Sequence, residues 1–221
     1  MKKTLLSWST GKDSAWALHV LRQDPQIQVL GLFTVVDETR GRVPMHATRS
    51  EVLHRQADAV GLPLQIINLP DPCTTEQSDS IMQQFVQTAA CQGIECMAFG
   101  DLFLEDIRAY REKQLAGTGI QPIFPLWGIS TRALAEQMLS ARLEAYVSSV
   151  DLKVLPARFV GKKWSTDMLT QLPEGCDPCG ENGEIHTVVV DGPMFHDSIP
   201  VKIGGVVERN GFAYADIVLE N

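Results

Sequence analysis

The residues with the clearest chemical potential stand near the start of the chain: Ser9, Thr10, Gly11, Lys12, Asp13 and Ser14. They follow an apolar run at residues 5–8 and precede an amphipathic segment that begins near Asp13, so they are predicted to lie where a strand turns into a helix. Unpaired N–H groups at a helix start favour an anion, and Gly11 lets the backbone approach it. We expect Lys12 on an exposed loop, adding positive charge beside the two serine hydroxyls. The run indicates a phosphate-binding loop.

This loop is not a Walker loop. A Walker motif needs a glycine five residues before the glycine of the Gly-Lys pair, where this chain has Leu6. It also needs Ser or Thr directly after the lysine, where this chain has Asp13. An acid at that position suits a phosphate site if it holds Mg²⁺. A plain glycine turn with Asp13 as the helix N-cap fits the same residues.

A second candidate is the turn at residues 174–187, which holds four acids, two cysteines and a histidine. Clustered carboxylates repel one another unless a cation or amine lies among them. We therefore predict a substrate-binding turn, formed by Glu181, Asn182, Glu184 and His186. Zinc held by the Cys-x-x-Cys pair is disfavoured because a structural site takes four ligands and no second such pair exists. A redox dithiol and a simple hairpin cap remain as alternatives.

Four further residues could contribute to a site. Asp101 and Glu105 follow an apolar run, at the strand edge where ligands bind in doubly wound sheets. Either could hold Mg²⁺ or an amine, or simply begin a helix favourably. His46 and Arg49 follow a long loop; Arg49 could grip a phosphate or carboxylate in bidentate fashion, or pair with a nearby glutamate.

The pattern of apolar runs predicts the elements that position these residues. Strands are expected at residues 5–8, 29–36, 64–69, 96–100 and 120–124, and helices at 13–21, 48–60, 75–91 and 104–116. This alternation implies a parallel sheet with helices on both faces. The second half loses it: helices are expected at 130–143 and 162–172, and strands at 145–150, 185–190, 201–207 and 212–219. Asn210-Gly211 joins the last two strands as a hairpin. We place a domain boundary at residue 128.

Composition bounds the class of protein. The chain has 221 residues, 44% of them hydrophobic and 21% charged, with a formal charge of −8, as in ordinary globular proteins. The acidic balance argues against nucleic acid or an anionic membrane as the main partner. Five irregularly spaced cysteines do not form a disulfide framework. The first residues lack a signal-peptide pattern and no apolar run approaches ~18 residues, so we expect a cytoplasmic protein.

Five runs together resemble one family, the diphthine–ammonia ligase-like branch of the PP-loop ATP pyrophosphatases (adenine nucleotide alpha hydrolase-like). The runs are Ser9 to Ser14, Met45 to Glu51, Gly100 to Arg108, Pro122 to Trp127, and Glu181 to Glu184. The family loop reads S-G-G-x-D-S, and Thr10 departs from its first glycine. The acidic turn resembles that of the bacterial members, with Asn182 and His186 where true diphthine ligases carry Gly and Glu.

The resemblance implies a Rossmann-like (HUP-type) doubly wound α/β domain over residues 1–128. A smaller α/β substrate domain, residues 129–221, would close the cleft. It implies ATP and Mg²⁺ as cofactors. The nucleotide would contact the loop, Gly100 and Asp101, and Asp13 would hold the Mg²⁺. The residues implied as substrate-binding are His46, Arg49, Glu105, Glu181, Asn182, Glu184 and His186.

The implied reaction adenylates a carboxylate with release of pyrophosphate and forms an amide with ammonia or an amine. Lys12, Asp13, Glu181 and Glu184 would be the catalytic residues. Two alternatives remain: a tRNA-thiolation enzyme that carries sulfur on Cys176 or Cys179, and a nucleotide sensor without turnover. The resemblance implies a carboxylate that is either a small molecule or protein-borne, and it is compatible with a homo-oligomer. The acid substrate, the amine donor and the oligomeric state stay open.

Overall fold

A computed structural model describes residues 1–220. The first part alternates strands and helices: β1 Lys2–Ser7, α1 Lys12–Leu21, β2 Ile27–Asp37, α2 Ser50–Val60, β3 Leu64–Leu69, α3 Thr75–Cys91, β4 Cys96–Ala98, α4 Glu105–Leu115 and β5 Gln121–Ile123. The expected bounds of β3 and α3 are confirmed. The start of α3 is fixed by a capping box, in which Thr74 and Gln77 each accept a hydrogen bond from the other's backbone N–H.

All five strands are parallel, in the order β3-β2-β1-β4-β5. Adjacent residues of β1 point to opposite faces, so Leu6 packs with the cluster that contains Leu18 and Leu53, whereas Leu5 packs with Val86. Helices α1 and α2 therefore cover one face and α3 covers the other. The chain reverses direction across the sheet between β1 and β4, which is where doubly wound folds bind ligands.

The second part is a separate antiparallel sheet. Its elements are α5 Thr131–Ser140, β6 Glu144–Asp151, α6 Thr166–Leu169, β7 Ile185–Asp191, β8 Val201–Arg209 and β9 Phe212–Leu219. The sheet order is β7-β6-β9-β8. Asn210 and Gly211 both have positive φ, 52° and 81°, as a two-residue hairpin turn requires. The two sheets confirm the expected fold class. The boundary at residue 128 stays a prediction; it falls between β5 and α5.

The helix expected at residues 162–172 is wrong apart from the single turn α6. Residues just before α6 run beside β6 instead: Val147 N–H donates to the Lys162 carbonyl (2.8 Å) and Trp164 N–H to the Ala145 carbonyl (2.8 Å). This places the Trp164 side chain, fully buried, in the core. Burial of a large aromatic ring outweighs the local preference for helix.

The two parts share a core. One apolar cluster holds residues of the parallel sheet, such as Trp8, together with residues of the antiparallel sheet, such as Val188. No helix among residues 1–220 is both long and apolar enough to cross a membrane.

Candidate active site

A cleft of about 390 Å³ opens at the carboxyl edge of the parallel sheet. Its walls include Ser9, Lys12, Asp13, Ser14, His46, Gly100, Asp101, Arg111, Glu181, His186 and Thr187. They come from the β1–α1 loop, the β2–α2 loop, the residues after β4, helix α4 and the second part of the chain. The structure thus brings most of the sequence-predicted site residues to one cavity.

The β1–α1 loop keeps a backbone that glycine would favour. Thr10 has φ 74° and is fully buried, so it adopts the left-handed conformation despite its side chain. Its hydroxyl forms a 2.6 Å hydrogen bond with the Thr48 hydroxyl. At Gly11, a Cβ would lie 2.6 Å from His46 Cε1, so a larger residue would displace the imidazole. The loop and the His46 ring are therefore packed against each other.

The expectation that Lys12 lies on an exposed loop is wrong. Lys12 is the first residue of α1 and is 1% exposed. Its ammonium donates hydrogen bonds to Asp13 Oδ2 (2.9 Å) and to the Cys179 carbonyl, and it lies 5.5 Å from the centre of the Trp164 ring. Burial is the largest single influence and would lower the pKa of Lys12, but the charge and hydrogen bond of Asp13, together with Cys179 and Asp177, raise the pKa above its usual value. Lys12 is a charged link between the two parts of the chain.

Strand β7 completes the site from the other side. Thr187 Oγ1 accepts the Lys12 backbone N–H (3.1 Å), and the Thr187 carbonyl accepts Nδ1–H of His46 (2.8 Å). The His46 and His186 rings lie 4.9 Å apart. Burial lowers the pKa of His46 to about 4 and that of His186 to about 3. Both imidazoles are therefore neutral at neutral pH, and the buried Nε2 of His186 has no hydrogen-bond partner among residues 1–220.

Three carboxylates line the cleft: Asp13, Asp101 and Glu181. Glu181 Oε1 accepts the Leu102 backbone N–H (2.7 Å), which fixes this acid over the end of β4. Burial, reinforced by the charges of Asp13 and Asp101, raises the pKa of Glu181 to about 7. A carboxyl group with that pKa can hold or release a proton near neutral pH.

The residues fit a weakly held divalent cation. Asp13 Oδ1 and Asp101 Oδ2 are buried without a hydrogen-bond partner in the described part of the chain. No set of three His, Cys, Asp or Glu in residues 1–220 is placed to hold a metal ion. Mg²⁺ commonly takes one or two carboxylates and completes its shell with water and substrate phosphates. Asp13 and Asp101 are the side chains that would hold it.

Glu184 does not lie in the cleft. It is 5% exposed, and its Oε1 accepts the Asp177 backbone N–H (3.2 Å) and the Asn182 side-chain amide (3.0 Å). Asp177 in turn accepts the Glu181 backbone N–H through Oδ2 (2.8 Å). The structure thus places Glu184 and Asn182 inside the acidic turn, where they hold its shape, while Glu181 faces the cavity.

Arg49 and Glu105 also lie outside the cleft. Arg49 donates two hydrogen bonds to Asp216 of β9, at 2.8 and 2.6 Å, and Arg42 donates a third at 2.9 Å. Hydrogen bonding by Arg49, then by Arg42, lowers the pKa of Asp216 to about 2. Glu105 is exposed in the first turn of α4. The Arg49 guanidinium thus ties the β2–α2 loop to the antiparallel sheet.

The cysteines of the turn are free thiols. Burial raises the pKa of Cys176 to about 11, and burial raises that of Cys179 further. Cys179 Sγ donates to the Thr131 carbonyl (3.3 Å). Redox and sulfur-transfer chemistry need a thiolate, so neither cysteine is prepared for it here.

The cleft also holds Arg111 and Thr187, which the sequence motifs did not indicate as site residues. Arg111 lies on α4, ten residues beyond Asp101, and Thr187 lies inside β7. Thr187 stands among apolar residues, and its inward direction depends on which face of β7 meets the first sheet. Arg111 shares a helix face with Leu104 and Ile107, a spacing of three and four residues that sequence alone could have revealed.

Comparison with known proteins gives two matching family models. Residues 1–122 match the diphthamide synthase N-terminal domain and residues 130–217 match the diphthamide synthase C-terminal domain. Among curated proteins, the chain is similar to proteins named diphthine–ammonia ligase. It is 24% identical to those of Bos taurus and Homo sapiens over 150 residues, 66% of this chain and 56% of theirs. It is 26% identical to that of Danio rerio over 176 residues, 73% of this chain and 69% of the relative. The chain thus spans little more than half the length of the mammalian relatives.

Proposed function

Because the chain belongs to the diphthamide synthase family, we propose that it is an ATP-dependent, AMP-forming amide ligase. Its substrate would be a carboxylate, whose identity the relatives do not fix at this level of identity, and its amine donor would be ammonia or a small amine. The observation that carries the proposal is the meeting of the PP-loop-like turn and Glu181 in one cleft.

The first step would form a mixed anhydride. A substrate carboxylate oxygen attacks the α-phosphorus of ATP, and pyrophosphate leaves towards the loop at Ser9 to Ser14. The first turn of α1 favours the negative charge of the leaving group. Mg²⁺, when bound at Asp13 and Asp101, would supply neutralisation of phosphate charge. No covalent protein intermediate is needed, so the residues act by positioning and electrostatics.

The second step would form the amide. Glu181 would hold an ammonium ion and accept one of its protons, which leaves ammonia to attack the acyl carbon. The carbon–oxygen bond to AMP then breaks, and the nitrogen loses a second proton to solvent to give the neutral amide. The pKa of Glu181, raised to about 7, suits this transfer because it is nearer to neutral pH than that of an ordinary glutamate. His46 and His186 are neutral and add no competing positive charge.

Isotope labelling tests the proposal without knowledge of the substrate. The full-length protein, ATP, Mg²⁺ and ¹⁵N-ammonium are incubated with a metabolite and protein extract, and products that gain ¹⁵N are sought by mass spectrometry. Phosphorus NMR of the same mixture reports the nucleotide products. We expect AMP and pyrophosphate in step with a ¹⁵N-labelled product, and loss of the label with Glu181→Gln.

Three outcomes would contradict the ligase. ADP and phosphate as the main products would show that ATP is not cleaved between its α- and β-phosphates. ATP binding without turnover in any extract would favour the nucleotide sensor. Sulfur incorporation into tRNA that is lost with Cys176→Ser or Cys179→Ser would favour the thiolation enzyme.

A further inference from the structure

The charges that line the cleft pose a problem for a nucleotide. Two cationic side chains, Lys12 and Arg111, and three carboxylates, Asp13, Asp101 and Glu181, contribute to its walls within residues 1–220. With all three carboxylates ionised, the walls carry a net charge of −1, whereas a nucleotide brings several negative charges of its own. Beside Mg²⁺ and the first turn of α1, a cationic side chain with free donors would favour phosphate binding there.

Lys12 is not that cation. Its ammonium already donates to Asp13 and to the Cys179 carbonyl, its backbone N–H donates to Thr187, and it is 1% exposed. Two of the three ammonium donors are therefore already used in the contact between the two parts of the chain.

The hydrogen-bond donors of Arg111, unlike those of Lys12, are free. Its guanidinium makes no hydrogen bond within residues 1–220, and its buried Nε has no partner, although Asp101 Oδ2 lies 3.8 Å away. Its Cζ lies over the Phe99 ring, 5.1 Å from the ring centre, a cation–π contact that favours this position of the guanidinium. A stacked guanidinium with free donors is suited to bidentate binding of an oxyanion.

We infer that Arg111 is the phosphate-binding cation of this cleft and takes the role that the sequence pattern suggests for Lys12. The inference rests on the proposed function, since it takes the cleft to be the ATP site. The ligand class is the phosphate chain of an adenine nucleotide. Arg111 would donate two hydrogen bonds to phosphate oxygens, and binding would satisfy its orphaned donors.

Arg108 provides a matched control on the same helix. It also stacks on aromatic rings, at 4.8 Å from Trp127 and 5.1 Å from Phe124, but it pairs with Glu112 and does not line the cleft. Arg108→Gln therefore removes a comparable stacked arginine from α4 without touching the cavity.

The test is calorimetric titration of the full-length protein with Mg²⁺-ATP, AMP and pyrophosphate. Arg111→Gln should weaken ATP binding roughly ten- to hundredfold, the range expected for charge-assisted hydrogen bonds. Arg111→Lys keeps the charge but loses the fork, so its loss should be smaller. Arg108→Gln should stay within about twofold of the parent. If Arg111→Gln loses affinity for AMP alone, Arg111 contacts the α-phosphate. If it loses affinity for pyrophosphate alone, Arg111 contacts the β- and γ-phosphates.

The outcomes separate this inference from the proposed function. Equal ATP affinity in Arg111→Gln and the parent would overturn the role of Arg111, whether or not the parent makes amides. A parent that binds ATP through Arg111 but never releases pyrophosphate would overturn the ligase alone. A parent that binds no ATP would overturn both. Thermal melting without ligand checks folding, and if Arg111→Gln fails to fold, the affinity of Arg111→Lys decides.

Discussion

The Lys12 ammonium, in the first turn of α1, donates a hydrogen bond to the carbonyl of Cys179 in the acidic turn. Two segments 167 residues apart in the chain are therefore joined by one buried charge. The neighbouring bond from the Lys12 backbone N–H to Thr187 adds a second link to the antiparallel sheet. The position of the acidic turn over the cleft thus depends on the loop that it faces.

Replacement of Lys12 should destabilise the protein even without nucleotide. Lys12→Met leaves the Asp13 carboxylate without its partner, and loss of one member of a buried ion pair costs about 3 kcal/mol. We expect the free energy of unfolding to fall by roughly that amount in urea titrations followed by tryptophan fluorescence. The double variant Lys12→Met/Asp13→Asn should recover part of the loss, since no unpaired charge remains.

Lys162 is a suitable control for this experiment because it is also a lysine beside an aromatic ring, 5.0 Å from Phe159, but it lies near the surface. Lys162→Met should change stability by no more than about 0.5 kcal/mol. Unchanged unfolding of Lys12→Met, together with lost ATP affinity, would show that Lys12 is free to contact phosphate after all.

Glu181 should make stability depend on pH in a predictable direction. Its pKa is about 7 in the folded protein against a reference value of 4.5, so between these values the folded state binds more protons than the unfolded chain. The free energy of unfolding contributed by this group therefore falls as pH rises from about 4.5 to about 7. Glu181→Gln cannot titrate and should show a flatter profile, measured by urea unfolding at several pH values in this range.

The exposed Glu105 on α4 gives the control for Glu181, since Glu105→Gln removes a carboxylate outside the cleft and should leave the profile as in the parent. If Glu181→Gln keeps the same pH profile as the parent, the carboxyl group is not buried as described. Amide formation should follow the same group: its rate should rise through about pH 7 in the parent, and Glu181→Gln should form no amide at any pH in this range.

Glu184 should matter for the shape of the turn and little for the nucleotide. Glu184→Ala removes the acceptor of the Asp177 N–H, and an unpaired buried donor costs about 2 kcal/mol. Glu184→Gln keeps an acceptor oxygen, so its loss should be smaller. Both variants should bind ATP within about threefold of the parent in calorimetry. If a Glu184→Gln protein with unchanged thermal melting formed no product, Glu184 would be a catalytic residue and not only a structural one.

Local signals explain which elements the sequence could predict. Pro63 marks the start of β3 and Thr74, as N-cap, marks the start of α3. The last hairpin follows from Asn210-Gly211. The segment at residues 162–172 has a helical pattern but pairs with β6, because the Trp164 ring finds its place in the core. No local sequence pattern shows that burial of the Trp164 ring outweighs the helix preference of this segment.

The same distinction applies to the cleft. Motif spacing identified Asp13, Asp101 and Glu181 as cleft residues because each lies where a strand ends or in a marked turn. Spacing could not tell that Glu181 faces the cavity while Glu184, three residues later, faces inward. Nor could it tell that the Lys12 charge is already paired, since its partner carbonyl comes from a distant segment.

The final prediction concerns Thr10, where the resembling family has glycine. Its φ of 74° is strained for a β-branched residue, at a cost of about 1–3 kcal/mol, and the 2.6 Å hydrogen bond to Thr48 offsets part of this. Thr10→Val keeps the strain but loses the bond, so it should lower the free energy of unfolding by about 1–2 kcal/mol. Thr10→Gly loses the bond but relieves the strain, and should lie within about 1 kcal/mol of the parent. Thr10→Ser keeps the hydroxyl and a Cβ at positive φ, so its stability should lie close to that of the parent. Urea unfolding of the three variants checks the order, and a Thr10→Val protein as stable as the parent would show that the hydroxyl pair does not hold the loop.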